Sequence, residues 1–188
     1  MFSWLFGSNS PPQDIARDEL DSFTVAVAES VTAGALANSL CTEPKSSRFF
    51  KGGVTVYSIA SKHDVLGINT KFAEANNYAN PFTTGEMARA VADRFKSRIG
   101  LATTGYSSPC TREENTALGQ CALDIKIPYV YICLYDSHNG YERIVKITYA
   151  DELKLDLKMM RVTVQVKAAL EAKKMYNEYV RGRTALPL

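Results

Sequence analysis

The chain has 188 residues, 46% hydrophobic and 22% charged, as expected of one globular domain long enough to bury most of its apolar surface. Its formal net charge is +2, from 22 basic and 20 acidic residues interspersed along the chain, which gives no electrostatic basis for nucleic acid as the main partner. Four cysteines, none spaced C-x-x-C, and only two histidines argue against disulfide staples and against a His-rich metal site.

Residues 1–12 begin as an apolar tip, Met1 to Gly7, that holds the only tryptophan, Trp4, and continue through Ser8-Asn9-Ser10-Pro11-Pro12, a connector. The tip is too short and lacks the basic start of a secretory signal. No apolar run approaches the roughly 18–20 residues that span a bilayer. The chain is therefore read as cytoplasmic, with no membrane partner. Residues 1–20 are read as an arm, either a loose tail or a docking element for a second subunit. Residues 21–180 are read as the domain and 181–188 as a tail.

The domain opens on the apolar run Phe23 to Ala28, expected to be a strand buried on both faces. The run changes abruptly to Glu29, Ser30 and Thr32, then to a small-residue helix from Ala33 to Leu40. Thr32 is a candidate cap for that helix, whose start would offer backbone N–H groups to an anion. Ser30 in such a turn reads in two ways: a catalytic or ligand-binding serine, or an ordinary cap beside a solvated Glu29.

A second strand is expected over 53–58, ending in Tyr57 and Ser58, before a short helix that carries Lys62, His63, Val65 and Leu66 and closes at Gly67. After an irregular stretch over 69–82, Thr83-Thr84-Gly85-Glu86 reads as a capping box with Thr83 as N-cap. Met87, Ala90, Val91 and Phe95 then share one helix face. A third strand over 99–103 runs into the turn Thr104-Gly105-Tyr106-Ser107-Ser108-Pro109. Residues 110–122 read as an exposed polar loop. Strands over 129–135 and 141–149 flank Ser137–Gly140 as an antiparallel hairpin, which puts His138 in a turn. Asp151 to Tyr179 reads as one helix with Leu153, Leu157, Met160, Val164, Ala168 and Met175 facing inward. This alternation of strands and helices, closed by a hairpin, predicts a single α/β/α sandwich.

Polar residues gather at the ends of the first three strands: Glu29, Ser30 and Thr32; Tyr57 and Ser58, with Lys62 following; and Thr104 with Gly105. In a largely parallel sheet those ends share an edge. Serine needs a base to become a nucleophile, and a desolvated lysine can serve. A tyrosine hydroxyl can relay a proton or stabilise developing charge. The bland alternative is a Lys62 solvated on its helix and a Ser30 that only caps a turn.

Three blocks in register resemble the CinA C-terminal domain family: Ala28-Glu29-Ser30-x-Thr32-x-Gly34; Phe50-x-Gly52-Gly53-Val54-x-x-Tyr57-Ser58-x-x-x-Lys62-x-x-x-Leu66-Gly67; and Thr104-Gly105-x-x-x-Pro109. Members of that family are nicotinamide-nucleotide amidases that convert nicotinamide mononucleotide to the acid and ammonia. The resemblance implies a three-layer α/β/α sandwich with a mixed, mostly parallel sheet. It also implies an amidase with no metal and no cofactor, a small-molecule pyridine nucleotide as partner, and a homo-oligomer. Carried over by motif, Ser30 would be the nucleophile, Lys62 its base and Tyr57 an assistant. Glu29, Thr32, Gly34, Thr104, Gly105 and Arg161 would serve substrate binding, with backbone N–H groups over Thr32–Gly34 as the oxyanion site.

The chain departs from the family pattern at several points. Val31 and Ala33 stand where the family has Cys and Gly, and the Ala33 methyl is expected to crowd a ligand near the backbone. Tyr106 enters the third block, and the glycines that follow it in the family are replaced by Cys110-Thr111-Arg112-Glu113. Near the last helix one family arginine is absent while Arg161 remains. Beside the enzyme reading stand two others: a catalytically silent nucleotide-binding or assembly subunit of the same fold, and a structural partner that acts through its N-terminal arm.

Overall fold

The computed structural model describes residues 22–69, 71, 73, 77–117 and 123–184. The expected N-terminal arm, the last four residues of the tail and part of the expected 110–122 loop lie outside the described residues. The five strands are β1 (Val25–Glu29), β2 (Phe50–Thr55), β3 (Ile99–Tyr106), β4 (Tyr129–Asp136) and β5 (Tyr141–Thr148). They form one five-stranded sheet in the order β2-β1-β3-β4-β5. β1 is parallel to both β2 and β3, and β3-β4-β5 is antiparallel. The sheet is mixed and the architecture α/β.

Every residue of β1 is buried, as the unbroken apolar run requires of a central strand covered on both faces. Its side chains alternate between two cores. Val25 and Val27 pack with Leu36 and Leu40 of α1 (Ala35–Cys41) and with Met160, Val164 and Ala168 of α6 (Leu157–Thr184). Ala26 and Ala28 face the other way, towards Met87, Ala88 and Val91 of α4 (Pro81–Phe95) and towards Val65 and Leu66 of α3 (Ile59–Leu66). Among the described residues there are also two short helices, α2 (Ser46–Phe49) and α5 (Arg112–Ala117), and a 3-10 turn over Asp151–Lys154. Small residues on the α4 face of the sheet allow a close approach. A Cβ built on Gly100 of β3 would lie 1.9 Å from the Ala88 carbonyl oxygen.

Several local expectations are corrected. Helix α4 begins earlier than the capping-box pattern suggests. Asn80 is the N-cap, its side chain accepts from the Thr83 N–H at 2.9 Å, and Pro81 occupies the first helical turn. Thr83 lies inside the helix, fully buried. The segment from Asp151 is a 3-10 turn followed by a separate helix. Leu153 and Leu157 are 42% and 62% exposed, while Met160, Val164, Ala168 and Met175 are buried. Periodicity extended through Leu155-Asp156, where the chain changes direction, assigned the first two leucines to the wrong face. Residues 112–117, expected as loop, form helix α5 capped by Thr111, whose Oγ1 accepts the Glu114 N–H while Glu114 Oε2 accepts the Thr111 N–H. Among the described residues no helix is long and apolar enough to cross a membrane.

Candidate functional site

The C-terminal ends of β1, β2 and β3 meet at one edge of the sheet. The chain leaves β1 through Ser30, whose N–H donates to the Thr103 carbonyl at 2.9 Å. It leaves β2 through Val56, Tyr57 and Ser58. Ser58 and Ser61 form a reciprocal capping box that starts α3, and Gly67 ends it at φ 69°. This fixes Lys62 on the first turn of α3 with its side chain turned inwards, 4% exposed. Lys62 Nζ lies 3.0 Å from Ser30 Oγ, 2.9 Å from the Val56 carbonyl oxygen and 3.3 Å from that of Tyr57. Burial pushes the lysine from 10.5 down to about 8, because desolvation disfavours the ammonium form.

Above this pair opens a cavity of about 480 Å³. Ser30, Lys62, Tyr57, Thr104, Gly105 and Arg161, six of the residues singled out in the sequence, line it. Arg161 reaches over from α6 to donate to Tyr57 Oη at 3.1 Å and to Ser108 Oγ at 3.0 Å. Tyr57 is 57% exposed, at the mouth rather than beside the serine. Gly105 has a structural reason to lack a side chain: its Cβ would lie 2.1 Å from the Tyr129 carbonyl oxygen on the neighbouring strand.

Glu29, Thr32 and Gly34 occupy a different place from the one the sequence suggested. They lie beneath the Ser30 turn, outside the lining of the cavity. The Glu29 carboxylate is buried and accepts the N–H groups of Gly34, Leu36 and Ala37 at 2.9, 3.0 and 2.7 Å. Glu29, and not Thr32, therefore caps α1. Thr32 Oγ1 instead donates to Glu29 Oε2 at 2.6 Å and lies 2.6 Å from Thr103 Oγ1. Gly34 adopts φ 104°, a conformation that strains any other residue. Ala33 is exposed and left-handed at φ 53°, away from the cavity its methyl was expected to crowd. The expected oxyanion donors shift accordingly. Gly34 N–H is held by Glu29 and Ala33 N–H turns back to the Ser30 carbonyl at 3.3 Å. Val31 and Thr32 N–H have no partner among the described residues.

The cavity also has walls that sequence reasoning did not assign: Tyr78 and Ala79, Tyr106, Ser107 and Ser108, Cys110, and Glu114 with Asn115. The clue was present at Tyr106, a bulky residue inside a turn motif, but its direction was not legible. Its hydroxyl donates to Asn77 Oδ1 at 2.9 Å, away from the serine. Among the described residues no group of three His, Cys, Asp or Glu is placed to hold a metal ion. His63 is exposed with Nδ1 at the Ile68 carbonyl, and His138 lies in the distant hairpin turn.

The class of protein so defined is an α/β domain with a mixed five-stranded sheet, helices on both faces, and a lysine buried against a serine where three parallel strands end. The family model described as the CinA C-terminal domain matches residues 15–147, and the chain belongs to that family. A protein of Caldanaerobacter subterraneus, named for the competence-damage inducible group, is 31% identical over 161 residues, covering 86% of this chain and 34% of that protein. A CinA-like protein of Solibacter usitatus is 28% identical over 146 residues, covering 78% of this chain and 35% of that protein. The chain thus spans about a third of the length of these relatives. The fold matches the crystal structure of a CinA superfamily protein from Klebsiella pneumoniae with a TM-score of 0.68 at 21% identity, over 88% of this chain and 92% of that one. A competence or damage-inducible protein from Enterobacter asburiae matches with a TM-score of 0.68 at 22% identity, over 87% and 92%.

Proposed function

We propose that this chain is an amidohydrolase that deamidates nicotinamide mononucleotide, or a related pyridine nucleotide, to the acid and ammonia. Ser30 is the nucleophile and Lys62 the base. The observation that carries the reading is the 3.0 Å contact between Lys62 Nζ and Ser30 Oγ. With a pKa of about 8, roughly a tenth of the lysine is neutral at pH 7. In that form its N–H bonds go to the Val56 and Tyr57 carbonyls, which leaves the nitrogen lone pair for the serine proton.

The reaction then balances as follows. Ser30 Oγ gives its proton to Lys62 Nζ and attacks the carboxamide carbon. The oxyanion that forms is met by the N–H of Val31, a residue that lines the cavity. The lysine returns the proton to the leaving nitrogen, which departs as ammonia and leaves an acyl ester on Ser30. Water, deprotonated by the same lysine, attacks the ester carbon; the bond to Ser30 Oγ breaks, the lysine returns the proton to that oxygen, and the acid is released. Arg161, whose guanidinium donates to the neutral acceptors Tyr57 and Ser108 among the described residues, supplies a cation for the substrate's anionic group. Tyr57 holds that arginine and borders the mouth.

Ammonia release from a panel of pyridine nucleotides tests this reading, and full activity in Ser30→Ala would overturn it. The altered 105–115 loop, which contributes Tyr106, Cys110 and Glu114 to the cavity wall, favours the second reading of a silent nucleotide-binding or assembly subunit. Saturable nucleotide binding without ammonia release would decide for that reading. Assembly as a homo-oligomer belongs to the same proposal. It draws on the family resemblance and on the exposed Leu153, Leu157, Met159 and Val162. Light scattering at tens of micromolar, roughly where weak dimers form, checks it.

A further inference from the structure

The cavity wall opposite the serine is made in part by Tyr78 and Ala79, on a segment that belongs to no strand and enters α4 through the Asn80 cap. One end of this segment is secured by that cap: Asn80 Nδ2 donates to the Asn77 carbonyl at 2.6 Å and to Thr83 Oγ1 at 3.1 Å. The other end is secured by side chains from the sheet. Tyr106 ends β3 and Tyr129 begins β4, and the two are paired in register with rings 5.6 Å apart. Between their hydroxyls lies the buried Asn77. Tyr106 Oη donates to Asn77 Oδ1 at 2.9 Å, Asn77 Nδ2 donates to Tyr129 Oη at 3.0 Å, and Tyr129 Oη donates to the Ala79 carbonyl at 3.4 Å. An amide is the side chain that can accept from one hydroxyl and donate to the other. Asn77 holds φ 56°, in the left-handed region that Asn tolerates better than most residues.

We propose that this Tyr106–Asn77–Tyr129 clamp sets the position of the Tyr78–Ala79 wall and thereby determines which amides the pocket accepts. The substrate class rests on the amidase reading above; the clamp itself rests on geometry alone. Tyr106 lines the cavity, and its hydroxyl is engaged by Asn77, so the side chain is held in place. None of the three residues touches the Ser30–Lys62 pair. They are positioning and specificity residues, and their loss acts on substrate capture more than on the chemical step.

Tyr106→Phe and Tyr129→Phe keep both rings and remove one hydroxyl each. Loss of a hydrogen bond to a buried amide corresponds to roughly a tenfold effect. Each variant is expected to raise KM for nicotinamide mononucleotide about tenfold with kcat within about twofold, and the double variant to exceed either single by less than the product, because the two bonds serve one clamp. Asn77→Asp, which keeps the acceptor for Tyr106 and loses the donor to Tyr129, is expected to match Tyr129→Phe. Hydrogen exchange of the 77–80 amides, which needs no turnover, should quicken at least tenfold in both tyrosine variants while α4 beyond Met87 stays protected. A fall in kcat at unchanged KM, or independent additive effects, overturns the specificity role. Unchanged exchange at 77–80 overturns the clamp. A protein that releases no ammonia but shows the faster exchange sinks the amidase reading and leaves the clamp standing.

Discussion

A buried lysine and a half-buried arginine sit at opposite ends of the same strands and have opposite fates. At the C-terminal end, Lys62 meets only a hydroxyl and two carbonyl oxygens, and burial drives it towards neutrality at about 8. At the other end, Arg98 meets a carboxylate. Its Nε and Nη2 grip Asp136 at 2.9 to 3.1 Å. Tyr179 Oη and the His138 N–H add bonds to the same carboxylate at 2.7 and 2.9 Å. Burial alone would raise Asp136, but these hydrogen bonds and the Arg98 charge hold it below the usual carboxylate range. Arg98 also lies 3.8 Å from the Phe23 ring centre. The second arrangement is satisfied and ties β3, β4, the hairpin turn and α6 together. The first is left without a counter-charge, a costly state that makes a usable base.

The comparison can be broken most sharply at the lysine. Ser30→Ala and Lys62→Met should each lower ammonia release by a factor on the order of 10³ or more, while circular dichroism shows the fold retained. Activity of the native protein should rise with pH through about 8 as Lys62 loses its proton. A flat profile across that range would remove the lysine from the role of base.

Stability should divide the two ends next. Lys62 is depressed on folding, so the unfolded chain binds the proton more tightly between about 8 and 10.5, and stability rises with pH across that window. Lys62→Met should therefore stabilise the protein below pH 8 by up to about 3 kcal/mol, with the gain fading towards pH 10, as urea melts at several pH values would show. Asp136→Asn should do the reverse, costing about 1–3 kcal/mol at neutral pH by taking the charge from the buried carboxylate that half-buried Arg98 grips. Because Asp136 is depressed in the folded state, its contribution is present above the unfolded carboxylate value and is lost as pH falls through the folded one. The variant's deficit should accordingly shrink in acid.

Smaller effects sharpen the picture around the serine. Glu29→Gln places an NH₂ group against the donors of Gly34, Leu36 and Ala37 and should cost about 1–3 kcal/mol. If Glu29 acts only through the turn, thermal melting and kcat fall while KM holds. Arg161→Met should raise KM for a phosphate-bearing substrate about tenfold and change that for its nucleoside counterpart little, as paired kinetic measurements would reveal.

Much of the fold was legible because its signals are local. The apolar run before Glu29, the β-branched strand before Tyr57 and the alternating hairpin each announce an element through periodicity and turn chemistry. The convergence of Ser30, Tyr57, Lys62 and Thr104 followed from strand ends sharing an edge, and the family resemblance put Ser30 and Lys62 together. The sequence by itself therefore determined the succession of strands and longer helices and the chemical groups gathered at one edge of the sheet, but not the short helix over 112–117 or the break before α6. Other features depend on which atoms the packed chain brings within 3 Å of one another, and only the tertiary structure decided them. Glu29 looked like a pocket residue, yet its carboxylate reaches back to three helix N–H groups that would otherwise lack partners. Leu153 and Leu157 matched a helical stripe, yet the chain changes direction between them at Leu155-Asp156 and both are exposed. Tyr106 looked like an obstruction until Asn77, distant in sequence, took its hydroxyl. Periodicity is set by bonds along the chain; a buried hydrogen bond is set by desolvation, and that depends on the whole molecule.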